Sequence, residues 1–158
     1  MKENRNQKRV AINLAQHAPI LGRYDASNEG KQIRKKNIEI FKKVILLLKT
    51  LGYSIVFITH DALEQSMALE FKGIDILNTD NVDMILKEYS QCQFSIGMKM
   101  HSNILSFSSG TPFISIYYDQ KTIEYLKLLG YLSYGKSCFE DYESWLLYKI
   151  GIMSVEFS

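Results

Sequence analysis

The feature that most constrains the fold is an alternation of short apolar segments with longer amphipathic ones. Ser54–Thr59 is a continuous β-branched and aromatic run, which is typical of a strand covered on both faces. Between Lys31 and Leu51, apolar residues recur at three- and four-residue spacing, which predicts an amphipathic helix. Further strands are predicted at Val10–Leu14, Ile74–Leu77, Phe94–Gly97 and Phe113–Tyr117.

Helix signals follow the strands. The later helices are predicted from Asp61 to Gly73, from Asp80 or Asn81 through Tyr89, at Ser102–Ser109, from Asp119 to Gly130, and around Tyr142–Ile150. Leu48–Tyr53 and Leu126–Tyr131 share the pattern Leu-Lys-x-Leu-Gly-Tyr, which predicts the same left-handed glycine cap twice. We therefore expect an α/β, Rossmann-like doubly wound parallel sheet of five or six strands in the order 3-2-1-4-5, with helices on both faces. Residues 1–7 are expected to be a flexible leader and residues 8–158 a single domain.

Composition excludes several classes of protein. The net charge is +2, and its basic excess in Lys2–Arg9 and Lys31–Lys43 is not interleaved with aromatic residues, so no nucleic-acid groove is indicated. The longest apolar runs, such as Val44–Leu48, are too short for a membrane span, and no secretory signal opens the chain. Cys92 and Cys138 are isolated, which favours structural thiols in a cytoplasmic protein and no metal site.

The predicted strand order places a ligand cleft between the loops that follow the first and fourth strands, Ala15–Gly30 and Met98–Ser102. The second loop brings Lys99, His101 and Ser102 to the start of a helix, where N–H groups and the helix dipole favour a phosphate or carboxylate. Lys99 would add a point charge and Ser102 a hydroxyl donor, and His101 can transfer a proton near neutral pH. An ordinary helix cap beside a solvated lysine is the alternative reading.

Other candidates surround the same cleft. His60 and Asp61 follow the second strand, and His17 and Arg23 lie in the first loop, where ordinary cap or surface roles are equally open. The remaining candidate substrate-binding residues are Asn13, Asn103 and Lys121. The chain has no GxGxxG after its first strand and no GxxxxGK[ST], GxSxG or HExxH, which argues against hydride transfer and P-loop chemistry.

Three segments carry a family resemblance. Ser95–Asn103 reads Ser-Ile-Gly-Met-Lys-Met-His-Ser-Asn, Gly110–Lys121 contains Gly-Thr-Pro and Tyr-Asp-Gln-Lys, and Leu128–Tyr131 reads Leu-Leu-Gly-Tyr. Over roughly residues 8–135, the chain resembles the C-terminal domain of the polysaccharide pyruvyl transferase family, which typically reads Gly-x-Arg-Leu-His-Ser, Gly-x-Pro, Tyr-Asp-x-Lys and Leu-Gly. The resemblance implies one half of a two-domain, GT-B-type transferase that moves pyruvate from phosphoenolpyruvate to a sugar in exopolysaccharide or cell-wall synthesis.

The resemblance also implies roles for individual residues. His101 would be the general acid and Lys99 the partner of the anionic donor, with no cofactor besides phosphoenolpyruvate as donor substrate. Lys99 stands where the family usually has arginine. It keeps the positive charge but lacks the planar guanidinium that can bind a carboxylate through two hydrogen bonds. The implied partners are phosphoenolpyruvate, a saccharide or sugar-lipid acceptor, and a separately encoded N-terminal domain.

Two other functions stay open at this point. The chain could be a GT-B glycosyltransferase half that binds a nucleotide sugar in the same cleft. It could also be a non-catalytic remnant or docking module, for which the apolar tail Ile150–Phe157 would be one contact surface.

Overall fold

The structure is a computed structural model that describes residues 8–15, 28–59 and 62–156. The predicted leader, residues 1–7, lies outside this range. The strands are β1 (Arg9–Asn13), β2 (Ser54–Thr59), β3 (Asp75–Asn78), β4 (Phe94–Gly97), β5 (Phe113–Tyr117) and β6 (Gly135–Ser137). The helices are α1 (Asn28–Thr50), α2 (Ala62–Ala68), α3 (Val82–Ser90), α4 (Met100–Ser108), α5 (Gln120–Leu129) and α6 (Glu143–Glu156), and a 3₁₀ helix covers Leu132–Tyr134.

The six strands form one parallel sheet in the order β3-β2-β1-β4-β5-β6. This order confirms the predicted doubly wound, Rossmann-like fold, and β6 extends the predicted order by one strand. The winding direction reverses between β1 and β4, which lie side by side with Asn13 opposite Gly97. Since ligands of open parallel sheets bind beyond the carboxyl ends of the strands at this switch point, Asn13 and Gly97 mark where to look for a site.

Several helix boundaries differ from the sequence prediction. α4 begins at Met100 rather than Ser102, because Lys99 is its N-cap and accepts a hydrogen bond from the Asn103 N–H at 3.3 Å. α2 ends at Ala68, well before the predicted end at Gly73, and α1 begins at Asn28 rather than Lys31. These shifts matter for the site because they place Ser102 inside a helix rather than at its start.

The two predicted glycine caps are confirmed. Gly52 and Gly130 have φ values of +91° and +72°, in the left-handed region that L-residues avoid. The N–H of Tyr53 donates to Leu48 O at 2.9 Å, and the N–H of Tyr131 repeats this bond at the end of α5 at 2.8 Å. Both helices therefore end in the same Schellman arrangement, which satisfies carbonyls that the helix leaves without partners.

The two faces of the sheet are packed differently. One face carries the larger apolar core, in which Phe57 packs with residues of α1, α2 and α6. The other face, against α3 and α4, includes buried polar side chains, and Ser95 donates to Ser106 of α4 at 2.7 Å. Within the described part of the chain, no helix is long and apolar enough to cross a bilayer.

Candidate functional site

Asn13, Glu64 and Lys99 form a cluster of bonded polar side chains at the switch point. Asn13, the last residue of β1, is fully buried, and its Nδ2 donates to Ile58 O and to Glu64 Oε1, both at 3.0 Å. Its Oδ1 accepts the backbone N–H of Lys99 at 3.4 Å. Asn13 therefore ties the end of β1 to β2, to α2 and to the turn that leads into α4.

An ion pair completes this Asn13–Glu64–Lys99 cluster. The Lys99 ammonium lies 3.1 Å from Glu64 Oε1. The two partners differ in exposure: the Glu64 side chain is 1% exposed and the Lys99 side chain 29%. A buried carboxylate requires a partner, and Glu64 has both an amide and an ammonium. The cation predicted for the cleft thus lies at the switch point, already bonded to an internal carboxylate.

His101 occupies the first turn of α4 and is exposed to solvent. It lies two residues after Lys99, and both residues belong to the start of α4, which follows β4 at the carboxyl edge of the sheet. The first N–H groups of a helix have no acceptor within the helix, and the helix dipole adds a partial positive charge there. The start of α4 thus carries a cation at its N-cap and an exposed imidazole in its first turn, and their roles stay a prediction.

The next two candidates face the sheet instead of solvent. Ser102 is buried and hydrogen-bonded to Tyr89 of α3, and burial raises the pKa of the Tyr89 phenol. Asn103 is buried, and its Nδ2 donates to Ser115 Oγ at 3.0 Å. The substrate-binding role suggested for Ser102 and Asn103 stays a prediction. Their contacts hold the first turn of α4, which carries His101, against α3 and β5.

Gly97 permits this close packing. A Cβ atom at Gly97 would lie 2.7 Å from Asn103 Oδ1 and 3.4 Å from Ser102 Cβ. Real Cβ atoms do not approach oxygen so closely, so a larger residue would push the start of α4 away from β4. The short distance between α4 and β4 at the site therefore requires a glycine at this position.

The remaining candidates lie at the margin of the cluster or outside the described range. Lys121 is exposed in the first turn of α5, which Asp119 caps by accepting the Thr122 N–H at 2.9 Å. Tyr118, which follows β5, has a pKa raised to about 12 by burial and then by the carboxylates of Asp119 and Glu64. His17, Arg23, His60 and Asp61 lie outside the described residues.

Glu64 is the residue that sequence reasoning missed. It stands in the first turn of α2, where an acidic side chain is ordinarily read as favourable to the helix dipole. The available signal was Lys99, because a lysine in a turn between a buried strand and a helix can pair with a carboxylate from another element at the same sheet edge. The first turn of α2, which carries Glu64, lies at that edge.

Two further observations concern metal binding and the position of a cavity. Among residues 8–15, 28–59 and 62–156, no three His, Cys, Asp or Glu side chains form a cluster that could bind a metal ion. A cavity of about 340 Å³ is lined by Lys42, Leu46 and Phe71, among others, between α1 and the turn after α2. It does not involve the Asn13–Glu64–Lys99 cluster.

Comparison with known proteins places these residues in a family. The family model described as "Polysaccharide pyruvyl transferase" matches residues 6–120, a range that includes the whole cluster and His101. The chain is also 24% identical over 139 residues to the amylovoran biosynthesis protein AmsJ of Erwinia amylovora. That match covers 78% of this chain and 32% of the relative, so the chain spans about a third of the relative's length. No solved structure matches significantly.

Proposed function

Because the chain belongs to the polysaccharide pyruvyl transferase family, we propose that it supplies the donor-binding half of an enzyme that transfers a pyruvyl unit from phosphoenolpyruvate to a saccharide. The family is one of transferases, and the AmsJ match favours a role in polysaccharide synthesis. The donor, the reaction and the residue roles are the proposal.

The observation that carries the proposal is the helix start at the switch point. Lys99 provides an ammonium at the N-cap of α4, and His101 provides an exposed imidazole in its first turn. Both lie at the edge where open parallel sheets bind ligands. Phosphoenolpyruvate bears a phosphate and a carboxylate, and helix starts and lysines suit both groups. His101 is the one described candidate acid there that is exposed and not packed into the sheet.

The chemistry needs one positioned proton. His101 in its protonated form would give a proton to the methylene carbon of phosphoenolpyruvate, and an acceptor hydroxyl would form a C–O bond to the neighbouring carbon. A second hydroxyl of the same sugar would then form the second C–O bond as the phosphate C–O bond breaks. The first hydroxyl proton restores His101 and the second leaves with phosphate, so the products are a pyruvate ketal and inorganic phosphate.

The proposal extends to a second domain. Since the match covers only a third of the relative, we propose that the acceptor site draws on a further domain in a GT-B-type arrangement. That domain would be encoded in the same longer protein or in a separate one. We also propose a cytoplasmic location, which fits the two buried cysteines Cys92 and Cys138, both present as thiols.

The test is phosphate release and ketal formation from phosphoenolpyruvate and a sugar-lipid acceptor, with the other domain supplied. We expect His101→Ala to lower the rate about 10²–10⁴-fold, because it removes a positioned acid. Ser108→Ala, at the far end of α4, is the matched control and should keep full activity. Equal rates in wild type and His101→Ala would contradict the proposal. Thermal stabilisation by a uridine nucleotide, without stabilisation by phosphoenolpyruvate, would favour a nucleotide-sugar transferase instead.

A further inference from the structure

We infer that one face of α1 is a docking surface for a bilayer that contains anionic phospholipid. The face carries a row of four lysines and one leucine, which we call the α1 stripe: Lys31, Lys35, Lys42, Leu46 and Lys49. A cavity with apolar walls lies beside its second half. The inference does not depend on the proposed reaction, since none of these residues belongs to the Asn13–Glu64–Lys99 cluster.

The basic charge of the chain is concentrated in α1. This helix contains seven basic and two acidic residues and so carries a net charge of +5, whereas the whole chain carries only +2. The residues outside α1 are therefore net negative together. A positive charge that is concentrated in this way attracts a polyanionic surface although the chain as a whole is close to neutral.

The members of the α1 stripe share one side of the helix. At 3.6 residues per turn they fall within an arc of about 60°, and they span about 27 Å along the helix axis. All five are exposed, including the Leu46 side chain at 67%. Glu39 is the acidic residue of α1 nearest to this arc, and it leaves the stripe with a net positive charge.

The other basic residues of α1 have bonds within the fold. Lys36 donates to Cys138 O at 2.7 Å, and Lys43 donates to a carboxylate of α6 at 2.9 Å. Arg34 lies 3.6 Å from Glu70, an acidic residue that lines the neighbouring cavity, and offsets its charge. The first three lysines of the α1 stripe make no such bond with the described part of the chain, so their ammonium groups are available to an external anion.

The cavity indicates which kind of anionic surface fits. Its volume is about 340 Å³, and Ile45, Leu46 and Phe71 provide its apolar walls. Two lysines of the α1 stripe and the exposed Lys72 line the same cavity. At a bilayer, lysines can bind the lipid phosphates while a leucine beside them contacts the acyl chains. A nucleic acid offers phosphates but no apolar layer for the leucine and the cavity wall, so the observations favour lipid.

The first experiment measures co-sedimentation of the chain with vesicles. One kind contains phosphatidylcholine and phosphatidylglycerol in equal amounts, and the other contains phosphatidylcholine alone. We expect binding to the mixed vesicles only, and we expect it to weaken as salt is added, because salt screens exposed charges.

A double variant tests the lysines. Lys35→Gln/Lys42→Gln should weaken binding to the mixed vesicles about 30-fold, because each lysine near an anionic bilayer contributes about 1 kcal/mol. The matched control, Lys87→Gln/Lys127→Gln, removes the same charge from exposed positions of α3 and α5 and should keep the affinity. Equal binding to both kinds of vesicle, no binding to either, or equal weakening by the two double variants would overturn the inference.

A second pair of variants separates a bilayer from another polyanion. Leu46→Gln should weaken vesicle binding about tenfold, because the apolar side chain no longer transfers into the acyl layer. Leu128→Gln replaces a leucine of α5 that is 83% exposed, and it should have no effect. Vesicle binding that Leu46→Gln leaves unchanged would overturn the inference, and duplex DNA that binds more tightly than the mixed vesicles would assign the α1 stripe to nucleic acid instead.

Discussion

The two ends of β1 carry charged clusters of similar composition and different setting. At the amino end, the Arg9 guanidinium binds Asp75 at 2.9 Å and Glu88 at 3.1 Å. At the carboxyl end, Asn13 stands beside the pair of Glu64 and Lys99. Asp75 and Glu88 are 69% and 17% exposed, whereas Glu64 is 1% exposed.

The two clusters differ in how far water can reach their carboxylates. The carboxylates around Arg9 can be hydrated, so that cluster mainly ties β1 to β3 and α3. Glu64 has little access to water, and the Asn13 amide and the Lys99 ammonium compensate its buried charge at the carboxyl edge of the sheet. Apolar residues of similar volume often replace a buried ion pair at no cost in stability, which is why we include this pair in the proposed site.

The largest expected effect comes from disturbing the packing under α4. Gly97→Ala should lower the free energy of unfolding by about 2–3 kcal/mol, because the new methyl group would meet the buried Asn103 amide. The measurement is equilibrium denaturation by urea. Since the variant displaces the start of α4, it should also weaken any ligand binding at the site.

An exposed helical glycine without close neighbours provides the contrast. Gly151 lies in α6, and a Cβ atom there would meet nothing within 4 Å. Gly151→Ala should therefore stabilise the protein by about 0.5–1 kcal/mol, as alanine does in exposed helix interiors. Equal effects of the two substitutions would contradict the packing explanation for Gly97.

The fold was largely predictable because the strand and helix-cap patterns in the sequence coincide with elements of the tertiary structure. β2, β4 and β5 have the predicted bounds, and Asp119 and Gly130 cap α5 as expected. β6 was not located because Gly135–Ser137 lacks a β-branched or aromatic run. Its pairing with β5 stabilises the strand although its residues have low strand propensity.

The site was predictable only in part. Lys99 and His101 could be placed at the switch point because the strand order is readable from the sequence and both residues directly follow β4. The contact between Glu64 and Lys99 joins residues far apart in the chain, and no periodicity encodes it. The shift in the start of α4 also turned Ser102 and Asn103 toward the sheet, which depends on the small residues Gly97 and Ser115 below them.

A smaller effect is expected from removing the cation at each end of β1. Lys99→Met should lower the free energy of unfolding by about 2 kcal/mol, because it leaves the buried Glu64 carboxylate without its ammonium. Arg9→Met should cost about 1 kcal/mol, since the Asp75 carboxylate is mostly exposed and the Glu88 carboxylate is more exposed than that of Glu64. Urea denaturation of both variants tests the contrast, and a larger loss in Arg9→Met would reverse our interpretation of the two edges.

The smallest effect concerns two tyrosines that flank the sheet at opposite edges. Tyr118 follows β5, and its pKa is raised from 10 to about 12 by burial and by the carboxylates of Asp119 and Glu64. A raised pKa means that the neutral phenol stabilises the fold below pH 10, and that this stability is lost as the pH rises toward 12. Tyr118→Phe should therefore lose less stability than wild type between pH 10 and 12, measured by urea denaturation at each pH.

Tyr53, which precedes β2, also has a pKa raised by burial, without a carboxylate among the causes. Tyr53→Phe should reduce the loss of stability between pH 10 and 12 less than Tyr118→Phe does, and the reverse order would contradict the stronger shift that we assign to Tyr118.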